Sequence, residues 1–127
     1  MPLTVLVVDD NALMRSMLIR TLRLSGLPVT AVHQANSGAE ALKHLSTHEV
    51  DLAFIDVDLP LVEGAPLAEC VRADARLAGV ALVVVSPEGS TTRHDDHGES
   101  GAIFIQRPFT PEQVRATALR VLGVAES

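Results

Sequence analysis

The chain has 127 residues, of which 47% are hydrophobic, so it predicts one folded domain over residues 1–127 and excludes a disordered chain. A net charge of −6 argues against nucleic-acid binding, and three Phe without Trp or Tyr give no platform for stacking bases. No apolar run approaches the roughly 20 residues that span a bilayer, and no basic stretch precedes the first one, so we expect neither a membrane segment nor a secretory signal. One cysteine, Cys70, favours a reducing compartment, and we expect the cytoplasm.

Short apolar runs alternate with segments of helical periodicity. In chain order the sequence predicts a strand at Leu3–Val8, a helix at Ala12–Leu24, a strand at Val29–Val32, a helix from the capping box at Ser37 to about Leu45, a strand at Leu52–Ile55, a helix from Gly64 to Val71, strands at Val80–Val85 and Ala102–Ile105, and a helix from the capping box at Thr110 to about Leu122. A strand in which almost every residue is apolar is typical of a sheet that is buried on both faces. The alternation therefore predicts an α/β fold, with a parallel sheet covered by helices on both sides.

One segment interrupts the alternation. From Pro87 to Ser100 the chain carries no large apolar side chain that could pack on a sheet, although a fourth helix is due there by symmetry. We expect a solvated, mobile loop with at most one helical turn, so that the fourth helix is short or degenerate. The spacing of His94 and His97 in this segment is that of a metal-binding pair, but a solvated charged run is the preferred interpretation. A missing helix would leave apolar side chains near Ile103, Phe104 and Val114 partly exposed, unless the segment folds back over them.

Polar residues of complementary kinds follow four of the strands. They are Asp9, Asp10, Asp56, Ser86 and Arg107. Since ligands of open α/β sheets bind beyond the carboxyl ends of the strands, we expect these side chains to converge. Three carboxylates beside a single cation would be balanced by a hard divalent ion, for which Mg²⁺ is the natural candidate. A carboxylate can also act as a nucleophile that accepts a phosphoryl group.

Several short motifs then appear in order. They are Val7-Val8-Asp9-Asp10 with Met14-Arg15, Asp56-Val57-Asp58-Leu59-Pro60 with Gly64, Val83-Val84-Val85-Ser86, and Phe104-Ile105-Gln106-Arg107-Pro108-Phe109. Over about residues 3 to 122 the sequence resembles the receiver domain of two-component response regulators, and in particular the single-domain chemotaxis type. The resemblance implies a flavodoxin-like, doubly wound sheet of five parallel strands in the order 2-1-3-4-5.

The resemblance also implies roles for individual residues. Asp56 would accept a phosphoryl group from a histidine kinase or a phosphotransfer protein, in a reaction that needs Mg²⁺. Asp9, Asp10 and Asp56 would hold the ion, with the backbone carbonyl of Asp58 as a further ligand. Such a domain is a phosphoacceptor and not a turnover enzyme. Its output would be docking to a downstream effector protein or to a second copy of itself.

Three further residues would complete this mechanism. Each of them either differs from the residue usual in the family or could have a purely structural role. Ser86 would be the switch hydroxyl, although it could simply cap a helix, and Pro87 follows it where the family has a small residue. Phe104 would be the aromatic rotamer switch without a phenolic hydroxyl, or merely a core residue. Arg107 replaces the usual lysine as the catalytic cation; alternatively it is only a salt-bridge partner of Asp56.

Two other functions follow from these departures. Arg107 and Pro87 favour a pseudo-receiver, which has the same fold but works as a protein-interaction module without physiological phosphotransfer. The spacing of Asp56 and Asp58 is also that of an aspartyl-phosphate hydrolase, but the chain has no substrate-specificity cap and the motif lies in mid-chain.

Overall fold

The computed structural model describes residues 2–63, 65–87 and 102–124. The strands are β1 (Leu3–Val8), β2 (Val29–Ala35), β3 (Leu52–Asp56), β4 (Ala81–Ser86) and β5 (Ile103–Gln106). The helices are α1 (Ala12–Leu24), α2 (Gly38–Thr47), α3 (Leu67–Ala73) and α4 (Pro111–Leu122), with a single 3₁₀ turn at Ala75–Leu77. The predicted α1 and α4 are confirmed at both ends. The predicted loop at 87–100, with its degenerate helix and its histidine pair, lies outside the described residues apart from Pro87.

The five strands form one parallel sheet in the order β2-β1-β3-β4-β5. This order confirms the predicted flavodoxin-like architecture. From β1 the chain adds β2 on one side and then β3, β4 and β5 on the other, so the order of the strands reverses between β1 and β3. A crevice opens beyond the carboxyl ends of these two strands. Strand β2 is longer than its apolar pattern predicted, because it continues to Ala35 as a partly exposed edge strand.

Two apolar cores lie on opposite faces of the sheet. Alternate residues of β1, β3 and β4 point to each face, which is why these strands are apolar throughout. The first core, under α2 and α3, includes Leu6, Val8, Ala53, Ile55, Leu82 and Val84. The second core, under α1 and α4, includes Val5, Val7, Leu52, Phe54, Val83 and Val85.

Side-chain caps fix where the helices begin. Asn11 accepts from the backbone N–H groups of Leu13 and Met14 at the start of α1, and Ser37 accepts from Glu40 at the start of α2. The capping box predicted at Thr110 is present in full. In contrast, α3 begins at Leu67 and not at Gly64, since Val62 and Ala65 pair across a tight turn before the helix.

The first of the two alternatives for the apolar side chains beside the predicted loop, partial exposure, does not hold for Val114 and Ile103, which are 0% and 6% exposed. Val114 belongs to the second core because α4 packs against both β4 and α1. Conversely, the helical spacing of the apolar residues in α1 predicts that Met17 is buried with Leu18 and Leu22, but Met17 is 55% exposed and only the two leucines are buried.

Across the described ranges, the helices are too short or too polar for any of them to pass through a lipid bilayer.

The contact between α2 and the loop after β3 requires a glycine at position 38. A Cβ added to Gly38 would overlap the Cγ2 methyl of Val62, whose β-branched side chain has little freedom to move away. We therefore expect Gly38→Ala to lower the free energy of unfolding by about 1–3 kcal/mol in urea titrations. Gly79→Ala is the matched control, because nothing lies within 4 Å of its added Cβ, and it should leave the urea midpoint nearly unchanged. Equal midpoints for the two variants would contradict this packing argument.

Candidate functional site

The strand registers bring the predicted site residues to one edge of the sheet. Val8 pairs with Ile55, so Asp9 and Asp56, one residue further on, lie side by side at the ends of β1 and β3. Ser86 ends β4 and pairs with Gln106 in β5, which places Arg107 just beyond it. The backbone N–H of Arg107 donates to the carbonyl of Ser86 at 3.0 Å, and this bond extends the pairing by one residue.

Three carboxylates form the centre of the site. One oxygen from each of Asp9, Asp10 and Asp56 lies within 4.8 Å of the others. Asp9 is buried, Asp56 is half-buried and Asp10 is exposed, so the cluster opens to solvent on one side. These hard oxygen donors, with room left for water, fit an ion such as Mg²⁺. If Mg²⁺ binds here, Asp9, Asp10 and Asp56 are the side chains placed to hold it.

Asp9 is held on both of its carboxylate oxygens. Its Oδ1 accepts from the backbone N–H of Asn11 at 2.9 Å, and its Oδ2 accepts from Nη2 of Arg107 at 2.8 Å. The side chains of Asp9 and Arg107 are only 5% and 20% exposed, so this ion pair is well shielded from solvent. The alternative expectation that Arg107 pairs with Asp56 was therefore wrong. The guanidinium reaches past the end of β3 to the carboxylate beyond β1.

Of the two carboxylate oxygens of Asp56, only one accepts a hydrogen bond from the described residues. Its Oδ1 accepts from the backbone N–H of Asp58 at 3.1 Å, whereas no donor within the described part of the chain contacts Oδ2. Burial raises the pKa of the Asp56 carboxyl, and the nearby Asp9 carboxylate raises it further. The Asp58 N–H and the Arg107 cation act in the opposite direction without reversing the rise. The net effect of these surroundings is to make the charged form of Asp56 less favourable than it is in water.

The remaining predicted residues surround this group. Ser86 is 3% exposed, and its hydroxyl makes no hydrogen bond to any other described residue. Phe104 is half-buried and packs against the first core. Asp58 has an exposed side chain, and its backbone N–H donates to Asp56.

Two residues that support the site were missed as such in the sequence. Arg15 donates from Nη1 to the backbone carbonyl of Asp9 at 2.7 Å and from Nε to Gln34 in β2 at 3.0 Å, so it fastens the end of β1 to the edge strand. Asn11 both caps α1 and donates to Asp9. The Asp-x-Asn spacing of Asp9 and Asn11 was the available signal, because an aspartate commonly accepts from the backbone two residues ahead.

The raised pKa of Asp56 predicts a stability effect with a defined sign. A carboxyl whose pKa is higher in the folded than in the unfolded state makes folding less favourable as pH rises from about 4 through the folded pKa. Asp56→Asn removes this penalty, so we expect it to raise the melting temperature by a few degrees at pH 7 in EDTA. The gain should disappear below about pH 4, where Asp56 is protonated in both states. A constant difference between the two proteins from pH 7 to pH 3 would contradict the assignment.

Comparison with known proteins agrees with this geometry. The sequence model of the response regulator receiver domain matches residues 5–119. The chain is 34% identical over 120 residues to the two-component response regulator ORR5 of Oryza sativa, covering 93% of this chain and 87% of the rice protein. It is 30% identical over 120 residues to the chemotaxis protein CheY1 of Helicobacter pylori, covering 93% of this chain and 95% of that protein.

A solved structure gives the same result. The chemotaxis response regulator CheY4 of Vibrio cholerae superposes with a TM-score of 0.77 at 28% identity, over 96% of this chain and 100% of that one. The chain therefore belongs to the response regulator receiver family, whose members serve as phosphoaccepting modules in two-component signalling.

Proposed function

We propose that this protein is a receiver domain that accepts a phosphoryl group on Asp56 in a Mg²⁺-dependent reaction and then signals by docking to a partner. The observation that carries the proposal is the position of Asp56 within a cluster of three carboxylates near one arginine, with no donor from the described residues on its Oδ2. We take residues 1–127 to act as a single such domain.

The proposed step is a displacement at phosphorus. Oδ2 of Asp56 attacks the phosphoryl group of a phosphohistidine or an acyl phosphate and forms a new P–O bond. The bond from phosphorus to the donor breaks, and the leaving nitrogen or carboxylate keeps the electron pair. Bound Mg²⁺, held by Asp9, Asp10, Asp56 and the backbone carbonyl of Asp58, would neutralise charge on the phosphoryl oxygens. The N–H of Asp58 meanwhile orients Asp56 by holding its other oxygen.

Arg107 can contribute without leaving Asp9. A guanidinium has five N–H donors, and only Nη2 is used in the ion pair with Asp9. The other donors are therefore available to phosphoryl oxygens arriving on Asp56. An ammonium has three N–H donors that diverge from one nitrogen, so it would hold the two groups with a different geometry.

The proposed response begins at Ser86. Phosphorylation adds a charge of about −1.5 to −2 and several strong acceptor oxygens. The hydroxyl of Ser86 has no competing partner among the described residues, so it is free to donate to that group. Movement of Ser86 would shift its neighbour strand β5, where Phe104 is only half-buried and can change rotamer as the switch residue.

The partners follow from this chemistry. The donor is a histidine kinase or a phosphotransfer domain in the cytoplasm, and the output partner is an effector protein or a second copy of the chain. Leu13 and Met17 support a docking role for α1, because these side chains are 63% and 55% exposed one turn apart near the acidic edge. We propose no direct contact with nucleic acid or membrane and no turnover of substrate.

A second candidate function rests on a specific observation. The ion pair of Arg107 with Asp9 already neutralises one carboxylate of the cluster, and Pro87 follows the switch hydroxyl. Both features suit a pseudo-receiver that binds partners without being phosphorylated.

Binding of beryllofluoride, which mimics a phosphoryl group on aspartate, distinguishes the two functions. With Mg²⁺ present, we expect a bound fluorine NMR signal together with shifts of the backbone amides of Asp58, Ser86 and Arg107. The same protein in EDTA should show neither change. A wild-type protein that gives no bound signal with Mg²⁺ would support the pseudo-receiver instead.

A further inference from the structure

A second cluster of metal-ligating side chains lies away from the acidic site. His33 lies in the edge strand β2, His44 lies in the last turn of α2, and His48 is the residue that caps α2. One ring nitrogen from each of the three lies within 4.8 Å of the others. Their ring centroids are 4.3 Å apart for His33 and His48, 5.6 Å for His33 and His44, and 5.7 Å for His44 and His48.

Local structure explains why the rings meet. His44 and His48 are four residues apart, the spacing that puts two side chains on one face of a helix. His33 pairs in register with Leu6, so it points to the face of the sheet that α2 covers. The helix begins at Gly38 near the acidic edge and runs back along the sheet, so its histidines lie at the end away from Asp56.

The hydrogen bonds around His48 present one of its nitrogens for binding. Nδ1 of His48 lies 2.9 Å from the hydroxyl of Thr47 and 3.3 Å from the carbonyl of His44. The Thr47 hydroxyl lies 3.0 Å from the carbonyl of Lys43, to which it can donate. All these contacts are satisfied if Nδ1 carries the proton, which leaves the lone pair on Nε2. Histidines that bind metals are oriented by such a bond from their other nitrogen.

His44 supplies an independent observation. Its Nδ1 is buried and has no hydrogen-bond partner among the residues that the structure describes, an arrangement that costs free energy in a folded protein. A metal ion bound by that nitrogen would provide the missing partner.

We propose that His33, His44 and His48 bind a divalent transition-metal ion of the zinc class and thereby fasten the edge strand β2 to α2. Imidazole nitrogens select Zn²⁺, Ni²⁺, Co²⁺ or Cu²⁺ and not Mg²⁺, so the ion differs from the one proposed at the acidic cluster. Tetrahedral Zn²⁺ bonds of about 2.0–2.1 Å require nitrogens about 3.3 Å apart, so the rings need only small rotations to close on the ion. Water would complete the coordination.

The test is a titration of the protein with Zn²⁺ in the presence of excess Mg²⁺. Calorimetry measures the binding, and thermal unfolding measures the stability of the protein with and without Zn²⁺. We expect one Zn²⁺ per chain and a higher melting temperature, with Co²⁺ in its place giving the visible absorption bands of a tetrahedral site. His33→Gln and His48→Gln should each weaken Zn²⁺ binding by at least about tenfold, and Thr47→Val should weaken it less. Circular dichroism checks that each variant is folded; His48 is exposed, so His48→Gln is the safer of the two.

The matched control is the double variant His94→Gln/His97→Gln, which removes the other histidine pair in the sequence and should leave Zn²⁺ binding unchanged. Zn²⁺ binding that survives in both His33→Gln and His48→Gln, or that is lost in the control, would overturn the proposal. None of these outcomes depends on phosphorylation of Asp56, so the two proposals fail separately.

Discussion

Asp56→Asn is expected to abolish the transfer of a phosphoryl group from acetyl phosphate. The amide has no negatively charged oxygen with which to attack phosphorus, and no other carboxylate combines a free oxygen with the position of Asp56 beside Asp9 and Arg107 within the described ranges. The rate of modification, followed by intact mass in Mg²⁺, should fall by at least about 1,000-fold.

Asp58→Asn is the matched control for this variant. It makes the same chemical change two residues away, on an exposed side chain, and it keeps the backbone N–H that orients Asp56. We expect Asp58→Asn to be modified, with a changed lifetime of the product. Modification that persisted in Asp56→Asn would show that another residue is the nucleophile.

The second large effect is expected for Asp10→Ala, which removes the exposed carboxylate of the acidic cluster and should change the response of the melting temperature to Mg²⁺. In the wild type, Mg²⁺ is expected to stabilise the fold, because an ion held by the proposed site would bind the native cluster of carboxylates and not the unfolded chain. At an Mg²⁺ concentration about 100 times its dissociation constant this linkage is worth about 2.7 kcal/mol. Asp10→Ala removes a ligand whose side chain is not needed for packing, so nearly all of the Mg²⁺-dependent rise in melting temperature should be lost.

The control for Asp10→Ala is Glu112→Gln, which removes one negative charge from an exposed position on α4. It should keep the full response to Mg²⁺. If both variants respond to Mg²⁺ as the wild type does, the ion acts through general charge screening and the acidic cluster is not its site.

The fold could be predicted from the sequence because its strands are unambiguous. β1, β3 and β4 are apolar at nearly every position, and this pattern has few explanations other than a sheet covered on both faces. The edge strand β2 was predicted three residues short, since His33 and Gln34 do not continue the apolar run. The exposure of Met17 could not be predicted, because helical spacing shows which residues share one side of a helix but not how much of that side is buried.

The residues that form the site could be predicted from the sequence, but the contacts between them could not. The carboxyl ends of parallel strands must meet at one edge, so the convergence of Asp9, Asp56, Ser86 and Arg107 follows from the topology. Which carboxylate Arg107 contacts depends on the reach of one side chain across the sheet, and the sequence contains no signal for that choice. The three histidines were missed for a similar reason. The spacing of His44 and His48 was visible, but its partner His33 comes from a different element.

The most direct test of the central claim is the intact mass of the wild-type protein after treatment with acetyl phosphate, measured with Mg²⁺ and in EDTA. We expect the mass of one phosphoryl group to be added with Mg²⁺ and no addition in EDTA. Arg107→Lys, treated in parallel, should also be modified but at a different rate, since an ammonium cannot hold Asp9 and the phosphoryl group in the same way. An inert wild type beside a reactive Arg107→Lys variant would contradict the account and show that Arg107 makes this domain a pseudo-receiver.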